Sequence, residues 1–131
     1  MRYLLDTNIC IYLMREDSPA VARRFAALHV GDVGMSVITL AELRYGVESS
    51  GADRRRHERA LTALLADVPA VPFDARAAVA YGVIRAAVRD RKRDALDRLI
   101  AAHAISADLT LVTNNEADFK DYPGLRVENW V

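Results

Sequence analysis

A single cysteine, Cys10, excludes an intrachain disulfide, and no Cys/His spacing in the chain suits a structural zinc. Cys10 itself reads as a small buried side chain rather than a reactive thiol. No apolar run reaches the ~20 residues needed to cross a bilayer, and no signal peptide is expected ahead of the first strand. The six glycines are scattered, so no glycine-rich loop is present to cradle a phosphate. The histidines do not pair with a plausible serine or cysteine nucleophile. His103 falls on a helix stripe and reads as a packed or hydrogen-bonded residue, and His29 and His57 as surface residues. Net charge is zero, which by itself argues against a strongly nucleic-acid-binding surface. Neither an internal repeat nor a low-complexity tract is present. What remains is a 131-residue chain expected to form one domain, residues 1–131, large enough to bury a core without staples, in the cytoplasm.

Just over half the residues are hydrophobic, the composition of a globular protein. Arginine dominates lysine and bunches at Arg54, Arg55, Arg56 and Arg59, and again from Arg85 through Arg93. Arginine grips phosphate bidentately, so the clustering is suggestive where the count is not.

In order, residues 3–5 form a short apolar run, expected as a strand buried on both faces and ending on Asp6. A short helix is expected over residues 8–14, then one from Ser18 as N-cap and Pro19 to about Leu28. Residues 33–36 read as a second strand. Thr39 and Glu42 match a capping box, with Thr39 as N-cap of a helix running to Ser49. Asp53 opens a helix whose apolar face is Leu61, Leu64 and Leu65. Residues 68–71, interrupted by Pro69, read as an edge strand. Asp74 caps a long helix to about Arg89, with Ala77, Val79, Ala80, Val83, Ile84, Ala87 and Val88 inward. Residues 89–93 are polar enough for a loop. A helix then starts at Asp94, with Leu96, Leu99, Ile100, His103 and Ala104 along one face. Residues 109–113 form a fourth strand, 114–118 a turn, and 126–131 a last strand after the turn at Pro123 and Gly124. Strands alternate with helices, so the class is α/β with a mostly parallel sheet.

Four acids share one kind of address. Asp6 ends the first strand, Glu42 and Asp97 sit in the first turns of helices, and Asp118 lies just past the fourth strand. Each placement alone is ordinary, since helix N-termini tolerate carboxylates and Asp6 alone is well explained as a helix cap. Gathered at the carboxyl edge of the sheet, where open α/β sheets keep their ligands, they would repel one another unless a cation intervened. Oxygen-only donors suit Mg²⁺ or Mn²⁺. Thr7, Asn8, Thr113 and Asn115 could bind metal waters or orient the acids. An acidic site without a nucleophile suits metal-assisted phosphodiester hydrolysis. Arg91, Lys92 and Arg93 either form a solvated loop or hold substrate phosphates beside the cleft.

The segments Leu4-Leu5-Asp6-Thr7-Asn8, Ser36-Val-Ile-Thr-Leu-Ala-Glu42-Leu-Arg-Tyr-Gly46, Pro72-Phe-Asp74, Asp97-x-x-Ile100-Ala-Ala-His103-Ala and Leu111-Val-Thr-Asn-Asn-Glu-Ala-Asp118-Phe119 occur in an order that resembles the PIN-domain ribonucleases. Within them the chain is most similar to the VapC toxins of bacterial toxin–antitoxin pairs, and the ending Pro123-Gly-Leu-Arg-Val-Glu-Asn-Trp130 is similar too. The resemblance covers nearly the whole chain. It implies a three-layer α/β/α fold with a central, mostly parallel sheet in strand order near 3-2-1-4-5. It also implies a Mg²⁺- or Mn²⁺-dependent endoribonuclease, a homodimer, and a small VapB-type antitoxin whose tail occupies the active groove. DNA would be met only through that antitoxin. The family's metal-binding acids fall on Asp6, Glu42 and Asp97. A fourth acid directly after the Thr-Asn of the fourth strand is replaced here by Asn115, and the Thr-Asn-Asn pattern moves it to Asp118, with Glu116 as competitor. Family members commonly enter the Asp97 helix with Ile-Gly, where this chain has Arg93-Asp94. Asp94 can cap that helix and adds a fifth carboxylate nearby.

The expected function is an endoribonuclease acting as a growth-inhibiting toxin, with tRNA, including initiator tRNA, as a target by family analogy. The alternative is a PIN-fold scaffold that binds RNA or protein without metal. A phosphatase built on a strand-terminal aspartate fits less well, because Asn8 stands where such enzymes carry a second acid.

Overall fold

The fold starts from strands short enough to be saturated on both faces. In the computed structural model, which describes residues 1–89 and 95–131, β1 (Tyr3–Leu5), β2 (Val33–Ser36), β3 (Ala70–Val71), β4 (Thr110–Val112) and β5 (Val127–Glu128) form one sheet. Its order is β3-β2-β1-β4-β5 and every pairing is parallel, as expected. Tyr3 pairs with Val33 on one side and Thr110 on the other, so β1 is the central strand.

Successive side chains alternate between faces. Tyr3, Leu5, Met35 and Val112 join the core beneath α1 (Thr7–Arg15), α2 (Pro19–Ala26), α3 (Val37–Glu48) and α4 (Arg54–Asp67). Leu4 and Leu111 pack on the opposite face against α5 (Ala75–Ala87), α6 (Ala95–Ser106) and the short α7 (Glu116–Phe119). The result is the three-layer α/β/α arrangement. β3 lies at the edge, where Pro69 costs no interior ladder bond. Trp130 closes the C-terminal end, its ring edge-on to Tyr3 with centroids 5.3 Å apart. Among the described residues no helix is long and apolar enough to cross a membrane.

The caps at Ser18 and Asp74 follow the sequence, and the one at α3 departs from it. Ser18 Oγ accepts from the Val21 amide, and Asp74 Oδ1 accepts from the Ala77 amide at 3.0 Å. The Thr39/Glu42 capping box does not form. Ser36 caps α3 instead, its Oγ accepting from the Ile38 amide at 3.1 Å, so the helix begins three residues earlier. Glu42 therefore sits in the second turn. The three-residue spacing that would close a capping box also places two side chains on one helix face, and here that face meets Thr7.

The phase of α5 is narrower than the sequence stripe. Ala77 and Ile84 are buried, while Val79 and Val83 are 70% and 61% exposed. Two residues along a helix is a rotation of about 200°, so residues 79 and 83 turn away from a face centred on 77 and 84. Leu96, expected inward, is 46% exposed at the start of α6. Cys10 is fully buried and its thiol is pushed well above the ordinary value by that burial, with the nearby charge of Asp6 adding to the shift. His29 is exposed and His57 half-buried. In the first arginine cluster, Arg54 pairs with Glu48 at 2.7 Å and Arg56 with Asp53 at 3.1 Å on the surface. Asp94 and the trio Arg91, Lys92 and Arg93 lie outside the described residues.

Candidate active site

Asp6 is placed by the end of the central strand. Its amide donates to Val112 O at 3.0 Å, continuing the ladder, and its side chain turns back to cap α1 by accepting from the Ile9 amide at 3.0 Å. Cap and site residue are thus the same carboxylate, only 6% exposed. Burial pushes its carboxyl above the ordinary range, and the charge of Glu42 adds to the shift. The Thr113 hydroxyl and the amides of Ile9 and Asn8 pull the other way. Among the described residues neutral dipoles hold this buried carboxylate, and such a group calls for positive charge.

Glu42 reaches the same place from α3. The Thr7 hydroxyl donates to Glu42 Oε1 at 2.7 Å, and Thr39 Oγ1 lies 3.4 Å from Thr7 Oγ1. Thr39 is fully buried, and its place beside Thr7 was concealed in the sequence by the capping-box pattern. Asp97, third residue of α6, faces them. Asp6, Thr7, Asn8, Glu42, Asp97, Ile100, Asn115 and Phe119 line one cleft of about 180 Å³ at the carboxyl edge of the sheet. Ile100 and Phe119 give it an apolar floor.

The remaining expected residues stand around this cleft. Thr113, fully buried, links its parts: it bonds to Asp6 and accepts from the Asn115 amide at 3.0 Å. Asp118 does not line the cleft and stands one hydrogen bond behind it, accepting from Asn115 Nδ2. Glu116 is turned to the C-terminal segment, where it accepts from Asn129 Nδ2 at 3.1 Å.

The donors fit a hard divalent cation. They are all oxygens, three of them carboxylates, and the charge of Glu42 already disfavours ionised Asp6. Among the described residues no group of three or more acids, histidines or cysteines stands close enough together to hold a metal ion without further ligands. Mg²⁺ suits such a partial set because it retains several waters. Thr113→Val keeps the shape and removes the hydroxyl from both Asp6 and the Asn115 amide. Activity is expected to fall about 10- to 100-fold, with the Asp6 carboxyl moving further up, as followed by carboxylate NMR titration.

A parallel sheet in this order with an acidic cleft at its carboxyl edge defines a class of α/β proteins, and the PIN domain matches residues 3–125. A tRNA(fMet)-specific endonuclease VapC of Shigella flexneri is 36% identical over 99% of this chain and 98% of its own. Ribonuclease VapC2 of Rickettsia felis is 35% identical over the same shares. Among solved structures, VapBC2 of Rickettsia felis bound to a promoter DNA fragment matches with TM-score 0.91 and 34% identity, covering all of both chains. DNA-bound VapBC of Salmonella typhimurium matches with TM-score 0.91 and 34% identity, over 100% of this chain and 99% of that one. The chain belongs to the VapC ribonucleases of the PIN-domain family.

Proposed function

We propose that the chain is the toxin of a type II toxin–antitoxin pair and acts as a Mg²⁺- or Mn²⁺-dependent endoribonuclease. The observation that carries this reading is the convergence of Asp6, Glu42 and Asp97, from three separate elements, on one cleft. Asp6 and Asp97 would hold the cation, with Glu42 as third ligand or as the base for the attacking water. Such an ion supplies charge to the phosphodiester oxygens and acidifies water. Thr7 fixes Glu42 through Oε1, so the carboxylate is oriented before substrate arrives. As the water oxygen bonds to phosphorus and the bond to the leaving ribose oxygen breaks, Glu42 takes the water's proton. Asn8 and Asn115 offer amide donors to the phosphate, and Asp118 acts through Asn115. A metal-free scaffold would have no use for three acids in one cleft.

The VapC relatives from Shigella and Salmonella are named as tRNA(fMet)-specific, which favours tRNA, including initiator tRNA, as the substrate here. Mapping new RNA 5′ ends after brief expression in a bacterial host tests this. Ends concentrated in one tRNA support it; wild-type ends no different from those of Asp6→Asn would refute it.

The partner is a small VapB-type antitoxin, and DNA is reached through it. An open trough of about 640 Å³, lined in part by Tyr12, Leu13, Phe25 and Leu64, supplies an apolar seat. Next to it, a second hollow lined by Met14, Leu43 and Val47 leads to Glu42. The chain also forms a homodimer, supported by the exposed Val79 and Val83 on α5. Val79→Asp with Val83→Asp is expected to give a folded monomer, detected by light scattering, whereas an unchanged oligomer would move the contact elsewhere. The cytoplasm is the site of action.

A further inference from the structure

His103 is the one imidazole in the core, 2% exposed in the last turn of α6 and six residues beyond Asp97. Its Nδ1 lies 2.7 Å from Ser36 Oγ, which is itself fully buried at the end of β2. That oxygen already accepts from the Ile38 amide as the cap of α3. A hydroxyl has one proton to give. Besides the lone pair that takes the Ile38 amide, Oγ has a second one, so the bond to His103 Nδ1 runs in either direction with the ring tautomer. Burial also holds the imidazole below its ordinary value, against the opposing pull of Asp74. Phe73 packs edge-on at 5.6 Å, and Asp74 and Arg76 are the charged residues lining the small cleft beside the ring.

The bond joins two elements that each carry one acid. His103 belongs to the helix of Asp97. Ser36 starts the helix of Glu42, whose first turn includes Thr39 beside Thr7, the residue that holds Glu42. We propose that the His103–Ser36 hydrogen bond is a positioning contact of the acidic cleft: it ties the Asp97 helix to the first turn of the Glu42 helix and sets the spacing of the two carboxylates. His103 touches neither substrate nor cation; it acts through Ser36 and α3. The inference rests on the ribonuclease reading of the cleft.

The test uses geometry-matched substitutions in the full-length protein. Asparagine presents an amide where histidine has Nδ1, able to accept from or donate to Ser36, whereas His103→Leu fills the space with no polar group. His103→Leu and Ser36→Ala are each expected to lower kcat about tenfold or more with KM within about twofold. The double variant should be no slower than either single one, and His103→Asn should recover to within about threefold of wild type. In metal-free protein without RNA, exchange of the Ile38 amide should quicken about fivefold in His103→Leu and stay near wild type in His103→Asn. A His103→Leu enzyme with wild-type kcat, a His103→Asn enzyme as slow as His103→Leu, or unchanged Ile38 exchange in His103→Leu would overturn the proposal. If His103→Leu does not fold, Ser36→Ala decides alone, and wild-type kcat in that variant overturns it. An inactive wild-type enzyme would sink the ribonuclease reading instead, and the exchange measurement would still judge the His103–Ser36 link.

Discussion

Asp6→Asn is expected to lose about 10²–10³-fold or more of RNA cleavage while raising the melting temperature of the metal-free protein. The two effects have one cause. Asp6 is buried at the sheet edge, and among the described residues its hydrogen-bond donors are neutral and the charge of Glu42 repels it, so its ionised form is disfavoured in the folded state. Asparagine keeps the oxygen that caps Ile9 and removes the charge. The pH dependence has a definite sign. The folded carboxyl is raised above its ordinary value of 3.8, so between those two values the native state binds more protons than the unfolded chain. Stability of the metal-free wild type therefore falls as pH climbs through that window, and Asp6→Asn lacks this component of the fall. The gap between variant and wild type should widen with pH until Asp6 is fully ionised. Thermal unfolding from pH 4 to 8 in chelator measures it. A variant less stable than wild type at neutral pH would mean that the carboxylate is better solvated than its burial implies. A higher melting temperature in Asp6→Asn would mean that function at this site is held at a cost in stability, a common trade-off.

Asp97→Asn and Asp118→Asn are expected to separate. Asp97 lines the cleft with Asp6 and Glu42, and its neutralisation should cost about 10²–10³-fold, as for Asp6. Asp118 reaches the cleft through Asn115, so Asp118→Asn should cost about tenfold. Asn115→Ala, which removes a cleft-lining amide as well as the partner of Asp118, should cost at least as much as Asp118→Asn, and adding Asp118→Asn to it should cost nothing further, because Asp118 acts through Asn115. Steady-state cleavage of one RNA by the four proteins reads this directly. An Asp118→Asn variant as inactive as Asp97→Asn would place Asp118 in the cleft itself, while Glu116→Gln should leave the rate unchanged.

The architecture was legible because it depends on local patterns with few solutions. Tyr3-Leu4-Leu5 is apolar without alternation, so it had to be a strand covered on both sides, and Asp6 had to emerge at its carboxyl end. Ser18-Pro19 and Asp74 are caps whose side chains have no competing use, and both form as read. Thr39 and Glu42 mimic a capping box because a capping box and an inward-facing pair share the same spacing. Ser36, which takes the cap, looked like the last residue of a strand. Only the approach of Thr7 from α1 distinguishes the two, and that contact spans 32 residues. The α5 stripe was drawn too wide because Val79 and Val83 are as apolar as the residues that pack. Burial on one helix is decided by its partner α6, which the sequence of α5 does not contain. The link between His103 and Ser36 was half visible: the histidine read as a hydrogen-bonded residue, but its partner lies 67 positions away.

In the proposed reading, the cleft of Asp6, Glu42 and Asp97 cuts RNA with a divalent cation. The direct measurement is cleavage of purified tRNA by the antitoxin-free protein across a Mn²⁺ titration, beside chelator-treated enzyme and Asp6→Asn. Cleavage that rises and saturates with Mn²⁺, vanishes in chelator and is lost in Asp6→Asn is the predicted result. Equal cleavage in chelator, or an Asp6→Asn protein that cuts as fast as wild type, would contradict the account.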